Sequence, residues 1–381
     1  MHFQLTDEQR ALRDMVRDFA DNELKPNAAH WDEHHVYPVD AVKKMGELGL
    51  MGVAFDPEYN GAGMDHVSYA IVIEELSRGC AGTGVICSAH SSLACDPIGH
   101  FGNEAQKKKF LSRMTTGEWI GCFGLTEAGA GSDAGSLKTV AVKDGGDWVI
   151  TGNKLFITNA VEAHVAVVFA NTDKNLGHRG ITAFIVTRDT PGFTVGKVED
   201  KLGIRASSTA ELVFENCRVP DAQRLGEIGK GFNVALHTLD GGRVGIAAQA
   251  VGIAQAALEQ SVKYAKERVQ FGKPIATLQA IQWMIADMAT EIEAARLLVH
   301  QAAWMKDQKM KGYGRYSAMA KLFAAEAAMR ATTKAIQIHG GYGYIKEYPV
   351  ERHFRDAKIT EIYEGTSEIQ RLVIATSYLK E

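Results

Sequence analysis

The sequence has no excess of positive charge and no long apolar run. Its 381 residues contain 42 lysines and arginines against 46 aspartates and glutamates, a formal net charge of -4. A chain without a cationic excess has no overall field for attracting a polyanion, so we expect no nucleic-acid binding. No segment is long and apolar enough to cross a bilayer, so we also expect no membrane insertion.

Cysteine and proline are scarce. The 5 cysteines are odd in number and form no C-x-x-C pair, and the 8 prolines mark no low-complexity tract. This composition argues against a disulfide framework, a metal site and a disordered linker. The N-terminus has neither a basic nor an apolar leader pattern, which favours the cytoplasm of a bacterium. A processed protein of the mitochondrial matrix is the alternative.

Several catalytic motifs are missing as well. The chain lacks G-x-G-x-x-G after a strand, G-x-x-x-x-G-K-[ST], H-E-x-x-H and G-x-S-x-G. Nicotinamide binding in a Rossmann fold, phosphoryl transfer at a P-loop, zinc-dependent hydrolysis and α/β-hydrolase chemistry therefore have no support in the sequence.

What is present divides into helical, β and helical parts. Thr6 and Gln9 form a capping-box pattern, and an uncharged stretch between Arg78 and Asp96 predicts a buried helix that ends at Asp96-Pro97. Short β-type runs occupy 165–169, 181–186, 193–198 and 211–214. Long helical patterns occupy 232–262, 278–307 and 316–338. We therefore predict an α+β, mostly α fold.

The chain is longer than one hydrophobic core usually holds, which predicts two or three packed modules, and the order of elements favours three domains. Residues 1–118 form an N-terminal helical domain, residues 119–225 a middle β-barrel domain, with a β-sandwich as the alternative, and residues 226–381 a C-terminal four-helix bundle.

Three stretches carry residues suited to chemistry. In 123–133, glycines and hydroxyls suit a planar or phosphorylated ligand, although a ligand-free loop has the same composition. In 337–343, the glycines exceed what a helix C-cap requires. Glu364 lies in a loop before a capping-box pattern that starts at Ser367. An apolar cleft would raise its pKa as a general base requires, and a solvated loop glutamate is the alternative.

Together these stretches resemble the acyl-CoA dehydrogenase family, and short-chain and butyryl-CoA members are the most similar. The resemblance covers nearly the whole chain and implies the fold of that family with FAD as cofactor. Six segments carry it: 122–133, 150–160, 239–255, 267–274, 336–344 and 359–375.

The resemblance also implies which residues contact FAD. The implied contacts are Phe123, Leu125, Thr126, Ser132, Phe156, Ile157, Thr158, Arg268, Phe271, Gln279, Gln337, Gly340, Gly341, Thr366 and Glu368. Those from Arg268 to Gly341 would reach the FAD of a neighbouring subunit. The resemblance therefore implies a homotetramer built as a dimer of dimers.

The implied substrate is an acyl-CoA thioester with a short, branched or alicyclic acyl group. Glu364 would take the α-proton while the β-hydrogen leaves as hydride to the flavin, giving a 2-enoyl-CoA. The implied substrate contacts are Ser132, Asp240, Arg243, Tyr363 and Gly365. An electron-transferring flavoprotein would reoxidise the cofactor.

Asp96 departs from the family pattern, in which an uncharged residue usually precedes this proline. One interpretation is that Asp96 pairs with a lysine or arginine, or points to solvent, because an unpaired buried carboxylate is costly. The other is that it lines the acyl pocket as a second proton acceptor for 1,4-elimination on a cyclohexane- or cyclohexene-carbonyl thioester. Further alternatives on the same scaffold are an acyl-CoA oxidase, a reductase working in the opposite direction and a non-catalytic flavin-binding protein.

Overall fold

A computed structural model describes residues 4–380 and has the predicted helix–β–helix order. The first helices are α1 (Asp7–Phe19), α2 (Ala28–His34), α3 (Val39–Glu47), α4 (His66–Gly79), α5 (Ala81–Ser88), α6 (Asp96–Phe101), α7 (Glu104–Gln106) and α8 (Ser112–Met114). The strands that follow are β1 (Gly121–Gly124), β2 (Val140–Asp144), β3 (Asp147–Thr158), β4 (Val165–Asn171), β5 (Ile181–Thr187), β6 (Phe193–Val198), β7 (Thr209–Pro220) and β8 (Arg224–Leu225). The last part contains α9 (Gly231–Glu267), the hairpin of β9 (Val269–Gln270) and β10 (Lys273–Pro274), α10 (Gln279–Asp307), α11 (Tyr313–His339), α12 (Val350–Lys358) and α13 (Ser367–Leu379).

The N-terminal helices begin as predicted but do not end as predicted. The capping box of Thr6 and Gln9 starts α1. The predicted helix end at Asp96-Pro97 is wrong, because the π-helical segment Ala89–Cys95 leads from α5 directly into α6. Pro97 lies in the first turn of α6, directly after this π-helical segment. Leu93 and Asp96 therefore lie on one continuous helical rod.

The middle strands form an eight-stranded sheet in the order β6-β7-β3-β2-β4-β5-β8, with β1 added parallel to β4. The sheet corrects the predicted barrel, because no pairing closes β6 onto β8 within residues 4–380. The β2–β4 ladder is a single pair, Val140 with Asn171, and the β3–β7 ladder shifts register twice. A closed barrel needs continuous ladders around its circumference.

Alternate residues of β4 pack into two different hydrophobic cores. Val165, Val167 and Phe169 pack in a cluster with residues of the helical part, whereas Ala166 and Val168 pack in the cluster within the sheet. This alternation places β1, and the glycine-rich loop that follows it, between the sheet and the helices.

The predicted C-terminal helical domain is confirmed: α9, α10 and α11 pack against one another, α12 packs on α9 and α11, and α13 packs on α11. Helix α4 joins them, because it packs on α9 and α10 in one core cluster that spans both helical parts. Small residues of α9 allow this close approach: a Cβ at Gly252 would overlap the carbonyl oxygen of Glu74. The predicted boundaries after residues 118 and 225 stay a prediction.

Two further findings concern the surface and the thiols. Within residues 4–380 no helix is long and apolar enough to cross a membrane. The five cysteines, Cys80, Cys87, Cys95, Cys122 and Cys217, are buried and form no disulfide in the described chain.

Gly252→Ala tests the close packing of α9 on α4. The new methyl group would press on backbone rather than on a movable side chain, so we expect the free energy of unfolding to fall by about 1–3 kcal/mol. Urea unfolding measures the change. Gly146→Ala is the matched control, because no atom lies within 4 Å of a Cβ there. Equal stabilities of the two variants would contradict this account of the packing.

Candidate active site

Glu364 lies in a strained turn between the 3-10 segment Ile359–Glu361 and α13. Its φ is 52° and that of Gly365 is 93°, so both residues adopt left-handed conformations. Such a conformation is unfavourable for glutamate and persists only when the surroundings hold it. The Lys321 Nζ donates to the Gly365 carbonyl at 2.7 Å, and the Gln370 Nε2 donates to the Glu364 carbonyl at 3.0 Å.

The start of α13 differs from the predicted capping box. Thr366, not Ser367, is the N-cap, and its hydroxyl accepts from the backbone N–H of Ile369. Gln370 does not cap the helix; its amide also donates to the Gly365 carbonyl at 2.8 Å. Gln370 therefore contributes to holding the turn that carries Glu364.

The Glu364 carboxyl lies against the backbone of α9. A Cβ at Gly242 would overlap its Oε2 and would lie 2.8 Å from a methyl carbon of Leu93. Only glycine at this position leaves room for both side chains. Oε2 is buried and has no hydrogen-bond partner in the described chain, so it is free to accept a proton from a ligand.

Burial raises the pKa of Glu364 to about 8, although the positive charges of Lys321 and Arg243 oppose this rise. A carboxyl with a pKa near the working pH exchanges protons with a weak carbon acid more readily than an ordinary glutamate does. A buried, unpaired carboxyl of this kind is also typical of a catalytic site. Tyr363, the preceding residue, donates its hydroxyl to Gln249 of α9.

Asp240 and Arg243 form an ion pair on the same stretch of α9. Burial raises the pKa of Asp240, and Arg243 opposes this rise. The Arg243 Nε is buried without a partner in residues 4–380. An unmet donor beside Glu364 is suited to a polar group of a ligand.

Asp96 pairs with Lys306 of α10, with 2.9 Å between Oδ1 and Nζ. Burial alone would raise the pKa of Asp96, but Lys306 outweighs it and the pKa is lowered. Lys306 in turn lies beside α9, because its Nζ would be 2.6 Å from a Cβ at Gly241. The Oδ1 atom therefore agrees with the interpretation that Asp96 pairs with a lysine. The Oδ2 atom is buried and has no partner in the described chain.

A buried ion pair shapes the glycine-rich loop after β1. The Lys154 Nζ lies 2.7 Å from Oε1 of Glu127 and donates to the Leu125 carbonyl at 3.3 Å. Burial lowers the pKa of Lys154 to about 8, against the effect of Glu127. Oε2 of Glu127 also accepts from the Lys138 N–H at 2.6 Å. These bonds hold the loop on β3.

The predicted cofactor residues near this loop differ in exposure. Leu125 and Ile157 are buried in the cores. Phe156 is 62% exposed at a φ of 59°, and Ser132 is exposed. Phe123, Thr126 and Thr158 are partly buried.

A groove of about 520 Å³ collects Arg268, Phe271, Gly340 and Gly341 at the ends of α9 and α11. Phe271 is 90% exposed, and Arg268 lies 5.2 Å from the ring centre of Tyr342. An exposed aromatic ring, a cation and open glycines fit a large planar ligand with phosphates, as FAD is.

The remaining predicted cofactor residues lie outside this groove. Gln279 begins α10 and Gln337 lies near the end of α11, both exposed and neither among the lining residues. Thr366 and Glu368 lie at the start of α13, beside the turn of Glu364.

Five residues that hold the site were not predicted: Lys154, Gln249, Lys306, Lys321 and Gln370. Two of them left a signal in the sequence. Lys321 interrupts an alanine-rich helical face, and Lys154 stands at an inward position of a strand. A cation on an apolar face predicts a buried partner, but the sequence does not name that partner.

Three comparisons place this geometry among known proteins. Family models described as the N-terminal, middle and C-terminal domains of acyl-CoA dehydrogenase match residues 6–118, 122–217 and 229–379. The mitochondrial short-chain specific acyl-CoA dehydrogenase of Bos taurus is 56% identical over 377 residues, which cover 99% of this chain and 91% of that protein.

Two solved structures are similar over 100% of both chains. Butyryl-CoA dehydrogenase from Megasphaera elsdenii is 48% identical, with a TM-score of 0.98. A chain of a structure described as electron transferring flavoprotein of Acidaminococcus fermentans is 50% identical, with a TM-score of 0.99.

Glu364→Gln tests the burial of the carboxyl without reference to activity. Because the pKa rises from 4.5 to about 8 on folding, the native protein binds more protons than the unfolded chain in that window. The wild type therefore loses stability as pH rises from 4.5 to 8, and the neutral variant does not. We expect the variant to gain more than about 1 kcal/mol relative to the wild type between pH 5 and pH 8.

Urea unfolding at the two pH values gives this difference. Glu47→Gln, on the exposed side of α3, is the control and should show no such gain. If the free energy of unfolding of Glu364→Gln differed from that of the wild type by the same amount at both pH values, water would have to reach the carboxyl.

Proposed function

The chain belongs to the acyl-CoA dehydrogenase family and is an FAD-dependent oxidoreductase, and on this premise we propose that it dehydrogenates short straight-chain acyl-CoA thioesters with Glu364 as the base. The observation that carries the proposal is the buried carboxyl of Glu364. Its Oε2 is free, and its turn is held against α9 by Lys321 and Gln370.

The residues around Glu364 have defined tasks in this reaction. Glu364 takes the α-proton of the thioester at Oε2, while Leu93 and the backbone at Gly242 exclude water. FAD, when bound, accepts the hydride that leaves the β-carbon. Proton and hydride together account for the two hydrogens removed, and the product is a 2-enoyl-CoA.

Several residues take the ligand-binding roles. Arg243 and Asp240 bind the CoA part through the unmet donor of Arg243, and Tyr363, Gly365 and Ser132 flank the acyl thioester. The glycine-rich loop and Phe156 contact one side of FAD. The groove of Arg268, Phe271, Gly340 and Gly341, together with Gln279 and Gln337, contacts the FAD of a neighbouring subunit.

A short acyl group is favoured by the relatives. The Bos taurus protein is named as short-chain specific and the Megasphaera elsdenii protein as butyryl-CoA dehydrogenase. We further propose a homotetramer, an electron-transferring flavoprotein as electron acceptor and a cytoplasmic location. The exposed Phe271 supports the assembly, because an apolar ring at 90% exposure is suited to a covered surface.

The test is anaerobic bleaching of the flavin absorbance by butyryl-, isovaleryl- and cyclohexane-carbonyl-CoA. We expect butyryl-CoA to bleach the wild type fastest. Bleaching of Glu364→Gln should be at least about 100-fold slower, because the base is lost. The FAD content of the variant and of the Glu47→Gln control should equal that of the wild type. A fully active Glu364→Gln variant would contradict the proposed role, and rapid turnover with oxygen alone would identify an oxidase.

A second candidate function rests on Oδ2 of Asp96, which is buried and free while Lys306 keeps the carboxylate ionised. Its free oxygen would accept a proton from an alicyclic thioester in a 1,4-elimination for which bound FAD would supply the hydride acceptor, although the lowered pKa makes Asp96 a weaker base than Glu364. This function would make cyclohexene-carbonyl-CoA a substrate.

Asp96→Asn tests this candidate. If Asp96 is a proton acceptor, the variant loses bleaching by cyclohexene-carbonyl-CoA by about 100-fold or more and keeps bleaching by butyryl-CoA. Asp40→Asn, at an exposed position of α3, is the control. Equal loss with both thioesters would assign Asp96 a structural role in its pair with Lys306.

A further inference from the structure

Lys321 is a buried cation in the middle of α11. Its side chain is fully buried, and its Nζ donates to the Gly365 carbonyl at 2.7 Å. Burying an ammonium group is costly unless a partner of opposite charge compensates it. Within residues 4–380, however, the acceptor of its hydrogen bond is the neutral Gly365 carbonyl.

The charged groups that face Lys321 come from four neighbouring segments. They are Arg243 of α9, Glu361 of the 3-10 segment, Glu364 of the turn and Glu368 of α13. Burial lowers the pKa of Lys321 to about 8, and the charge of Glu364 opposes this most strongly. The compensating charge for Lys321 is therefore chiefly Glu364.

Gln370 shows that the turn does not need a charged donor. Its neutral amide makes two hydrogen bonds, to the carbonyls of Glu364 and Gly365, at 3.0 and 2.8 Å. The same carbonyl of Gly365 accepts from Lys321. A neutral donor therefore bonds to this same carbonyl, so the hydrogen bond alone does not account for a buried charge at position 321.

We propose that Lys321 is a positioning residue that holds the turn of Glu364 through the Gly365 carbonyl and favours the ionised form of the Glu364 carboxyl. The proposal rests on the proposed role of Glu364 as the base. Because opposite charges stabilise each other in a site from which water is excluded, Lys321 brings the base into its active form at a lower pH than burial alone would allow.

The experiment compares Lys321→Met and Lys321→Gln with the wild type. Lys321→Met removes the donor and the charge, whereas Lys321→Gln keeps a donor and removes only the charge. The measured quantity is the rate of anaerobic flavin bleaching by butyryl-CoA between pH 6 and pH 10. Lys334→Met is the matched control, because this lysine of the same helix pairs with the exposed Asp287 of α10.

In the wild type the rate should rise with pH through about 8, the range in which Glu364 and Lys321 titrate as a coupled pair. Loss of the charge at position 321 should move the midpoint up by about one pH unit in both variants, which lowers the rate at pH 7 about tenfold. The control should keep the wild-type midpoint. If Lys321→Met does not accumulate as folded protein, Lys321→Gln gives the same test.

An unchanged midpoint in folded Lys321 variants would overturn the proposal, even if their rates were lower at every pH. Gln370→Met provides a further comparison, because it loosens the turn without changing charge. It should lower the rate and leave the midpoint in place. Absence of bleaching in the wild type would instead count against the proposed function.

Discussion

Removal of one carboxyl group from water is the constraint on which the rest of the site depends. Glu364 lies against α9 where a Cβ at Gly242 would overlap it, and a methyl carbon of Leu93 lies 2.8 Å from the same Cβ position. The same burial that raises its pKa to about 8 makes the ionised form costly to the fold. The fold is therefore less stable when this carboxyl is ionised, and the same burial lets the carboxyl exchange protons near neutral pH.

Two buried lysines hold the turn of Glu364 and the glycine-rich loop in the same way. Lys321 donates to the Gly365 carbonyl beside Glu364, and Lys154 donates to the Leu125 carbonyl in the glycine-rich loop. Each has a glutamate nearby that offsets the buried charge: Glu364 in one case and Glu127 in the other. A rigid helix or strand thus carries the cation, while the loop receives a fixed shape without regular secondary structure.

Local patterns predicted most of the elements. The capping box of Thr6 starts α1, and the long apolar periods correspond to α9, α10 and α11. Local rules failed where tertiary contacts competed with them. Pro97 did not end its helix, because a π-helical segment continues directly into α6, and the sheet did not close, because no pairing joins β6 to β8 within residues 4–380. Gln370 matched a capping box but bonds to the turn of Glu364 instead.

The sequence by itself determined the order of helices and strands, the family resemblance and the loop position of Glu364, because these depend on spacing along the chain. The tertiary structure decided that Glu364 meets Gly242 and Lys321, that Asp96 pairs with Lys306, and that Lys154 pairs with Glu127. Such pairings join residues that are far apart in sequence. Their energies depend on burial and distance, which exist only once the helices have packed.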